Sequence, residues 1–325
     1  MIMPKYSIIT PNYNGFALMK NYFESLEAQT MKDFEVIIVD DCSKDDSYLQ
    51  LQNYAKASEM NIRVYQSEQN SGPGNARNIG MDKATGDFIT FIDNDDWVEV
   101  TWLEQIDKVL ADNPDINCVI YDYYIKSETS QSVSHSMYKG KGGIISLSDC
   151  MVFARNHTVG KFYKLSDCRR EQIRFPELRR CEDVAFVCRA IEACKTVYYL
   201  NIPLYYYYQR PTSLSNNKKM DESDMVKAFA IIEEHLALKY PQEIKEKSVT
   251  DLLYGGLLMI LKAGKSRRYI LDYLKKYENK YPEWWKCNIL HSIGRAKFVY
   301  LQCARFRFIL MLKTLTYLHS RLVDK

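Results

Sequence analysis

The first 125 residues alternate between two hydrophobic patterns. The continuous apolar run from Phe34 to Asp40 is typical of a buried strand, and Ile62 to Gln66 is predicted to be a second, short strand. Between the runs, apolar residues recur every three or four positions, as in Phe16 to Leu26, which predicts amphipathic helices. Strands that alternate with helices predict βαβ units, and therefore an α/β fold with a mostly parallel sheet and flanking helices.

The same patterns locate the other elements. Three more strands are predicted, at Tyr6 to Thr10, Asp87 to Asp93 and Asn117 to Ile125. Three more helices are predicted, at Tyr48 to Ala57, from Pro73 to a stop at Gly86, and at Val100 to Leu110. The polar segment from Ser127 to Gly143 is predicted to be a mobile loop.

From about Asp221 onward the pattern is helical throughout. The predicted helices run over Met225 to Leu238, Ser248 to Leu261, Tyr269 to Tyr277 and Arg295 to Leu322. We therefore predict two domains, an α/β domain over residues 1–220 and a helical region over residues 221–325.

Polar residues follow several of the predicted strands where each strand ends. They are Pro11, Asn12 and Tyr13 after the first strand, Asp40 and Asp41 after the second, and Asp93, Asn94, Asp95 and Asp96 after the fourth. Ligands of open α/β sheets bind outside the carboxyl ends of the strands. These residues therefore predict an acidic pocket with an aromatic member at that edge.

The acids of Asp93 to Asp96 repel one another unless a cation lies among them. Hard oxygen ligands suit Mg²⁺ or Mn²⁺, which keep waters and share a substrate phosphate. A neighbouring Arg or Lys is the other candidate. In a purely structural interpretation Asp93 caps the loop and Asp96 opens the next helix, and both interpretations stay open at this point.

Charge is spread unevenly along the chain. The net charge is +3, but residues 286–325 carry eight Lys or Arg and one acid, interleaved with Phe, Leu, Ile and Tyr. This basic, apolar stretch predicts either a helix on an anionic membrane surface or a terminal helix that packs on the core or forms a homodimer. No nucleic-acid recognition motif is visible.

Cysteine usage and targeting signals point to the cytoplasm. The nine cysteines lack CxxC spacing, and we expect reduced thiols. No signal peptide or apolar run of membrane-spanning length is visible. We expect a cytoplasmic protein, peripheral on the inner face of the cell membrane.

Two segments resemble nucleotide-binding motifs but lack a required residue. "GPGNAR" has Arg77 in place of the third Gly of G-x-G-x-x-G, and "AGKS" has Met259 in place of the first P-loop Gly.

Four segments together resemble glycosyltransferase family 2, enzymes of the GT-A fold. They are "SIITPNYN", "FEVIIVDDCSKDDS", "GPGNARNIGMDKATGDFITFIDNDDW" and "CEDVAF", and the resemblance covers roughly residues 4 to 215. It implies a nucleotide-sugar donor, usually a UDP-sugar, and an inverting transfer.

The resemblance also implies which residues bind the donor. Pro11 and Tyr13 match the segment that lines the base pocket, and Asp41 matches the acid that reads the uracil. Arg77 and Asn78 match the "ARN" segment packed beside the donor.

The remaining assignments concern the reaction itself. Asp93 and Asp95 match the D-x-D pair that holds the metal at the donor, with Asp95 as the direct ligand, and Asp183 matches the catalytic base. A metal would balance charge on the departing UDP, with Arg77 as a second cation. Glu182 stays open as the alternative base, because adjacent residues on a helix do not share a face.

Two positions depart from the family pattern. Cys42 replaces the usual Gly after the two aspartates, at a backbone position that Gly adopts more easily. Val159 stands where many relatives carry Trp upstream of Lys161. The four tyrosines of Tyr205 to Tyr208 are predicted to alternate between the core and a sugar-stacking face.

We therefore predict a metal-dependent inverting hexosyltransferase that extends a surface glycan. Its partners would be a UDP-sugar, a glycan or lipid-linked oligosaccharide acceptor, and Mn²⁺ or Mg²⁺. Two alternatives remain: a non-catalytic partner subunit of the same fold, and a sugar-1-phosphate nucleotidyltransferase. The second would need a basic Gly-rich loop after the first strand, where this chain has "TPNYNG".

Overall fold

The computed structural model describes residues 4–137, 140–210 and 222–323, without the side chains of residues 320–323. The chain forms two compact units. The first comprises Met1–Leu147 and Arg155–Gln209, and the second comprises Ser148–Ala154 and Arg210–Lys325. The predicted domain boundary at residues 220 and 221 lies outside the described residues.

The first unit contains a sheet of ten strands. The strands are β1 Tyr6–Asn12, β2 Phe34–Asp40, β3 Ile62–Gln66, β4 Phe88–Phe91, β5 Trp97–Val98, β6 Cys118–Lys126, β7 Gln131–Ser134, β8 Gly143–Ile145, β9 Lys161–Lys164 and β10 Val197–Tyr208. Their order is β3-β2-β1-β4-β9-β6-β10-β5, with β7 on β6 and β8 on β10. From β3 to β4 the pairing is parallel. The sheet then becomes mixed, because β9 is antiparallel to both β4 and β6.

Thirteen α-helices are present in the described residues. They are α1 Lys20–Glu27, α2 Ser47–Ala57, α3 Pro73–Lys83, α4 Trp102–Asp112, α5 Leu147–Phe153, α6 Leu165–Arg170, α7 Glu182–Cys194, α8 Glu222–Leu236, α9 Pro241–Ser248, α10 Leu257–Lys262, α11 Arg267–Lys280, α12 Arg295–Arg305 and α13 Ile309–Val323. A π-helix, Val249–Gly256, joins α9 to α10. The part of the second unit that the structure describes is helical, as predicted.

Strand burial explains the early apolar runs. Every residue of β2 is buried, and β1 is buried at six of its seven positions. Helix α3 lies close to β1, since a Cβ on Gly80 would come within 2.3 Å of Ile9. The helix begins with Pro73 at its first turn, after Gly72 with φ of 89°. This packing fixes α3, which carries Arg77 and Asn78, against the middle of the parallel strands.

Two sequence predictions about secondary structure are wrong. The segment from Ser127 to Gly143 is not one loop, because Gln131–Ser134 pairs antiparallel with β6. Its polar residues suit an outer strand with a solvated face. The predicted helix from Arg295 to Leu322 is two helices, since the chain turns between α12 and α13 with Arg307 at φ of 60°. In the described residues no helix is both long and apolar enough to cross a membrane.

Candidate active site

The ends of three strands are tied together by one asparagine. Asn12, the last residue of β1, donates from Nδ2 to Asp40 Oδ1 over 2.9 Å, and its Oδ1 accepts from Asn94 Nδ2 over 2.8 Å. The carboxyl ends of β1, β2 and β4 therefore meet, as the strand pattern predicted. Pro11 lies next to Asn12 within β1, and Tyr13 follows it with 41% of its surface exposed. Tyr13 is thus an aromatic ring open to solvent at this edge.

Asp41 is buried and organises the loop that leads into α3. Its carboxylate accepts from Ser67 Oγ and the Ser71 amide, each over 3.0 Å, and from the Gly72 amide over 2.7 Å. The two backbone bonds reach different oxygens, so the carboxylate fixes the entry to the helix that carries Arg77. The next residue, Cys42, has a φ of 57°, which confirms the prediction of a backbone conformation that suits glycine.

Arg77 is a buried cation that joins the acid cluster to helix α7. Its Nη2 donates to Asp93 Oδ1 over 2.7 Å, and its Nη1 donates to Glu182 Oε1 over 3.2 Å. Its side chain is only 7% exposed. Burial lowers the pKa of Arg77, but the charges of Asp93 and Glu182 more than offset this, so that its pKa is raised. Arg77 is therefore one positive partner of the acid cluster of Asp93 to Asp96.

Asn78, the neighbour of Arg77 on α3, holds the segment that precedes α7. Its Nδ2 donates to the Phe175 carbonyl and its Oδ1 accepts from the Phe175 amide, each over 2.9 Å. The Phe175 ring stacks on Phe186 of α7 with centroids 3.8 Å apart, and both rings pack edge-on against Phe91 at the end of β4. Asn78 thus fixes the position of Phe175, which packs against Phe91 of β4 and Phe186 of α7.

The acids after β4 have different surroundings. Asp93 and Asp95 are partly exposed, whereas Asp96 is buried. Asp96 accepts from the Tyr205 hydroxyl over 2.5 Å and from the Tyr208 amide over 2.7 Å. Burial and the charges of Asp93 and Asp95 raise the pKa of Asp96. Asp96 is therefore anchored to β10, while Asp93 and Asp95 lie nearer the surface.

Helix α7 begins with the two candidate bases. Cys181 precedes it with φ of 60°, and Glu182 and Asp183 form its first turn. Glu182 is buried and committed to Arg77, whereas Asp183 is partly exposed. Burial and the neighbouring charge of Glu182 raise the pKa of Asp183 to about 7, although Arg77 acts in the opposite direction. Asp183 is thus a carboxylate that can take up and release a proton near neutral pH.

The donor set after β4 fits a hard divalent cation. Across residues 4–137, 140–210 and 222–323, no group of three or more His, Cys, Asp or Glu is arranged to hold a metal. Mg²⁺ and Mn²⁺ sites at nucleotides need less, because one or two carboxylates bind the ion and phosphates and waters complete the shell. Asp95 and Asp93 offer such oxygens at the surface side of the cluster.

Sequence reasoning did not identify the contacts of Glu182 and Tyr205. The sequence indicates Glu182 only as an alternative base, yet its carboxylate binds Arg77. The sequence indicates Tyr205 only as one of four tyrosines, yet it is fully buried, with its hydroxyl between Asp96 and the Asp93 amide. Both contacts join residues more than 100 positions apart in sequence, and no local pattern encodes such pairs.

The chain is similar to one described family and to individual proteins. The family described as Glycosyl transferase family 2 matches residues 7–170. The putative glycosyltransferase EpsH of Bacillus subtilis is 31% identical over 82% of this chain and 80% of its own length. The poly(ribitol-phosphate) beta-N-acetylglucosaminyltransferase TarS of Staphylococcus aureus is 30% identical over 63% of this chain, but this chain spans 35% of the length of TarS.

A solved structure shares the fold. The crystal structure of residues 1–349 of S. aureus TarS in complex with UDP-GlcNAc matches 98% of this chain and 92% of that chain, with a TM-score of 0.72 and 22% identity. At this identity the likeness shows the fold alone, and it agrees with the mixed sheet and flanking helices described above.

Proposed function

The chain belongs to glycosyltransferase family 2, and we propose that it transfers a sugar from a UDP-sugar to a hydroxyl of a glycan acceptor with inversion. One observation carries the proposal beyond the family. Arg77 joins Asp93, at the end of a parallel strand, to the turn of α7 that holds Asp183. Acids for a donor and a base for an acceptor are thereby connected through one buried cation.

In this proposal Asp183 is the base. An acceptor hydroxyl is a poor nucleophile at neutral pH, so a carboxylate must take its proton as the new bond forms. The oxygen attacks the anomeric carbon, the bond from that carbon to the diphosphate oxygen breaks, and UDP leaves with the electron pair. A single displacement inverts the configuration and needs only one carboxylate. A pKa of about 7 suits Asp183 to this exchange.

We further infer that transfer depends on Mn²⁺ or Mg²⁺ held by Asp95 and Asp93. Such an ion, when bound, supplies positive charge to the diphosphate leaving group. Arg77 supports the site by its contact with Asp93, which orients that carboxylate. Asp41 supports the site by fixing the loop before α3. Pro11 and Tyr13 are the proposed binding surface for the uracil ring of the donor.

The proposed acceptor is a cell-surface glycan on a lipid carrier. The name of the S. aureus relative gives poly(ribitol-phosphate) as the polymer on which that protein acts. For this chain we propose only the class of acceptor, a polymer, and not poly(ribitol-phosphate) itself. A lipid-linked acceptor implies work on the cytoplasmic face of the membrane, which is also part of the proposal.

A donor screen tests the proposed function. The purified protein is incubated with a panel of UDP-sugars, Mn²⁺ and a lipid-linked glycan fraction, and UDP release is measured. We expect UDP release that depends on one donor and on the acceptor fraction. Pyrophosphate release from UTP and a sugar 1-phosphate would instead identify a nucleotidyltransferase. Release of neither product, despite UDP binding, would identify a non-catalytic subunit.

A further inference from the structure

Exposed apolar side chains concentrate near the end of the described chain. Among the described residues, eighteen large hydrophobic side chains are exposed, and eight of them lie within a 21-residue stretch. The eight are Phe298, Val299, Phe306, Phe308, Leu310, Met311, Tyr317 and Leu318. Scattered exposed apolar residues are normal, but a concentration of this kind marks an interaction surface.

Helix α13 has exposed apolar residues on the side away from its buried residues. Ile309, Leu312 and Thr316 are buried and lie on one side at helical spacing. At 100° per residue, Leu310 and Tyr317 fall on the other side. Leu310, Met311, Tyr317 and Leu318 are exposed there beside the polar Lys313 and Thr314. The outward side of α13 is therefore amphipathic, which fits the boundary between an apolar phase and water.

The outward residues of α13 continue into the turn before it. We define the outer face as Phe306, Phe308, Leu310, Met311, Tyr317 and Leu318. The Phe306 and Phe308 rings lie 6.0 Å apart. The Arg305 guanidinium lies 5.3 Å from the Phe306 ring and 4.6 Å from the Trp285 ring. An arginine and a tryptophan beside an apolar patch are typical of the boundary between lipid and water.

Charge indicates which partner the outer face binds. Residues 286–325 carry eight Lys or Arg and one acid, while the whole chain has a net charge of +3. Lys313 is exposed on α13, at one edge of the outer face. Lys286 and Arg307 are paired with Glu283 and Glu278, which lie outside the segment, and the segment stays net positive after these pairs. A second copy of the chain would bring two such positive segments together in a symmetric contact, which their repulsion opposes. An anionic surface attracts the same segment.

We propose that the outer face docks on a bilayer that contains anionic lipid. The aromatic and aliphatic side chains enter the boundary between headgroups and acyl chains, and the lysines and arginines contact lipid phosphates. The inference rests on the proposed function only in that a transferase acting on a lipid-linked glycan would meet its acceptor at such a surface.

Vesicle sedimentation of the full-length protein tests the docking. Vesicles of phosphatidylcholine with phosphatidylglycerol are compared with vesicles of phosphatidylcholine alone, without nucleotide or acceptor. We expect binding to the anionic vesicles and at least tenfold weaker binding to the neutral ones. Added salt should weaken the binding, because it screens the attraction of the basic residues.

Matched variants distinguish binding through the outer face from non-specific hydrophobic binding. Leu310→Ser with Leu318→Ser should weaken binding about tenfold or more, since two apolar side chains no longer enter the bilayer. Leu238→Ser removes a leucine that is 99% exposed elsewhere in the second unit, and it should leave binding unchanged. Lys313→Gln should weaken binding about fivefold, against no change for Lys276→Gln on α11.

Equal binding by the Leu310 and Leu238 variants would overturn the proposal. So would an absence of binding to anionic vesicles at low salt. Sedimentation velocity without vesicles addresses the second copy: a wild-type dimer that the Leu310 and Leu318 substitutions convert to monomer would assign the face to self-association. UDP release is not part of this experiment, so its outcome is separate from that of the donor screen.

Discussion

Arg77 and Asp93 form an ion pair at the carboxyl edge of the sheet, with 2.7 Å between Nη2 and Oδ1. The same guanidinium contacts Glu182, the first residue of α7, over 3.2 Å. Because Glu182 directly precedes Asp183, the charge state of the acid cluster and that of the candidate base are linked through Arg77.

Activity should depend on the ionisation of Asp183. Burial and the charge of Glu182 raise its pKa to about 7, and only the deprotonated form can accept the hydroxyl proton. Below that pH the active fraction falls, so kcat/KM should drop about tenfold per pH unit, with a plateau above it. The pH profile of kcat/KM, with saturating metal, measures this. A profile flat from pH 5.5 to 8.5 would contradict it.

Two substitutions should move that profile in opposite directions. Glu182 raises the pKa of Asp183, so Glu182→Gln should shift the acidic limb to lower pH. Arg77 lowers the same pKa, so Arg77→Gln should shift the limb to higher pH. Arg174→Gln, on an exposed arginine paired with Asp82, is the control and should shift nothing. Shifts of the same sign for the first two variants would refute the charge coupling.

The candidate base should cost stability. The folded protein holds the Asp183 proton more tightly than the unfolded chain does, because its pKa is raised above the ordinary value of 3.8. The proton on Asp183 therefore contributes fully to the free energy of unfolding only below about pH 4, and this contribution is lost as the pH rises through 7. Asp183→Asn should raise the free energy of unfolding at pH 8 by on the order of 2 kcal/mol. This is less than the full pKa shift implies, because solvent screens part of the effect at the partly exposed Asp183.

Urea unfolding at pH 8 and at pH 4 measures the stability difference. The gain of Asp183→Asn should be present at pH 8 and largely absent at pH 4. A variant that is less stable than the wild type at pH 8 would show that the carboxylate makes native contacts that outweigh its burial.

Metal-dependent nucleotide binding should depend on Asp95. Asp95→Asn replaces a charged oxygen ligand with an amide, so Mn²⁺ should no longer strengthen UDP binding. Calorimetric titration of UDP with and without Mn²⁺ measures this. Asp112→Asn, on an exposed carboxylate of α4, is the matched control. If Mn²⁺ strengthened UDP binding equally in both variants, Asp95 would not be a ligand.

Much of the first unit follows from local sequence patterns. The predicted strands at Phe34 to Asp40 and Ile62 to Gln66 match the structure to the residue. The run of β2 lies between Asp33 and Asp41, so polar residues mark both of its ends. The same logic placed Asp41 and Asp93 at one edge, because parallel strands bring their carboxyl ends together.

Other features depend on contacts between distant residues. Strand β9 inserts antiparallel between β4 and β6, although it follows β6 by 34 residues in the chain. The Arg77 to Glu182 pair spans 105 positions. Neither relation leaves a periodic signal, since periodicity reports only which face of one element is buried. The sequence does not predict the break at Arg307, because apolar spacing continues across it.

The most direct measurement compares the transfer rates and the UDP affinities of two variants, Asp183→Asn and Glu182→Gln. We predict that Asp183→Asn keeps UDP affinity but transfers sugar about 10²–10⁴-fold more slowly, because the shape remains and the base is gone. Glu182→Gln should transfer at a rate much nearer the wild type above pH 7. Near-normal transfer by Asp183→Asn, or a larger loss from Glu182→Gln, would contradict the assignment of Asp183 as the base.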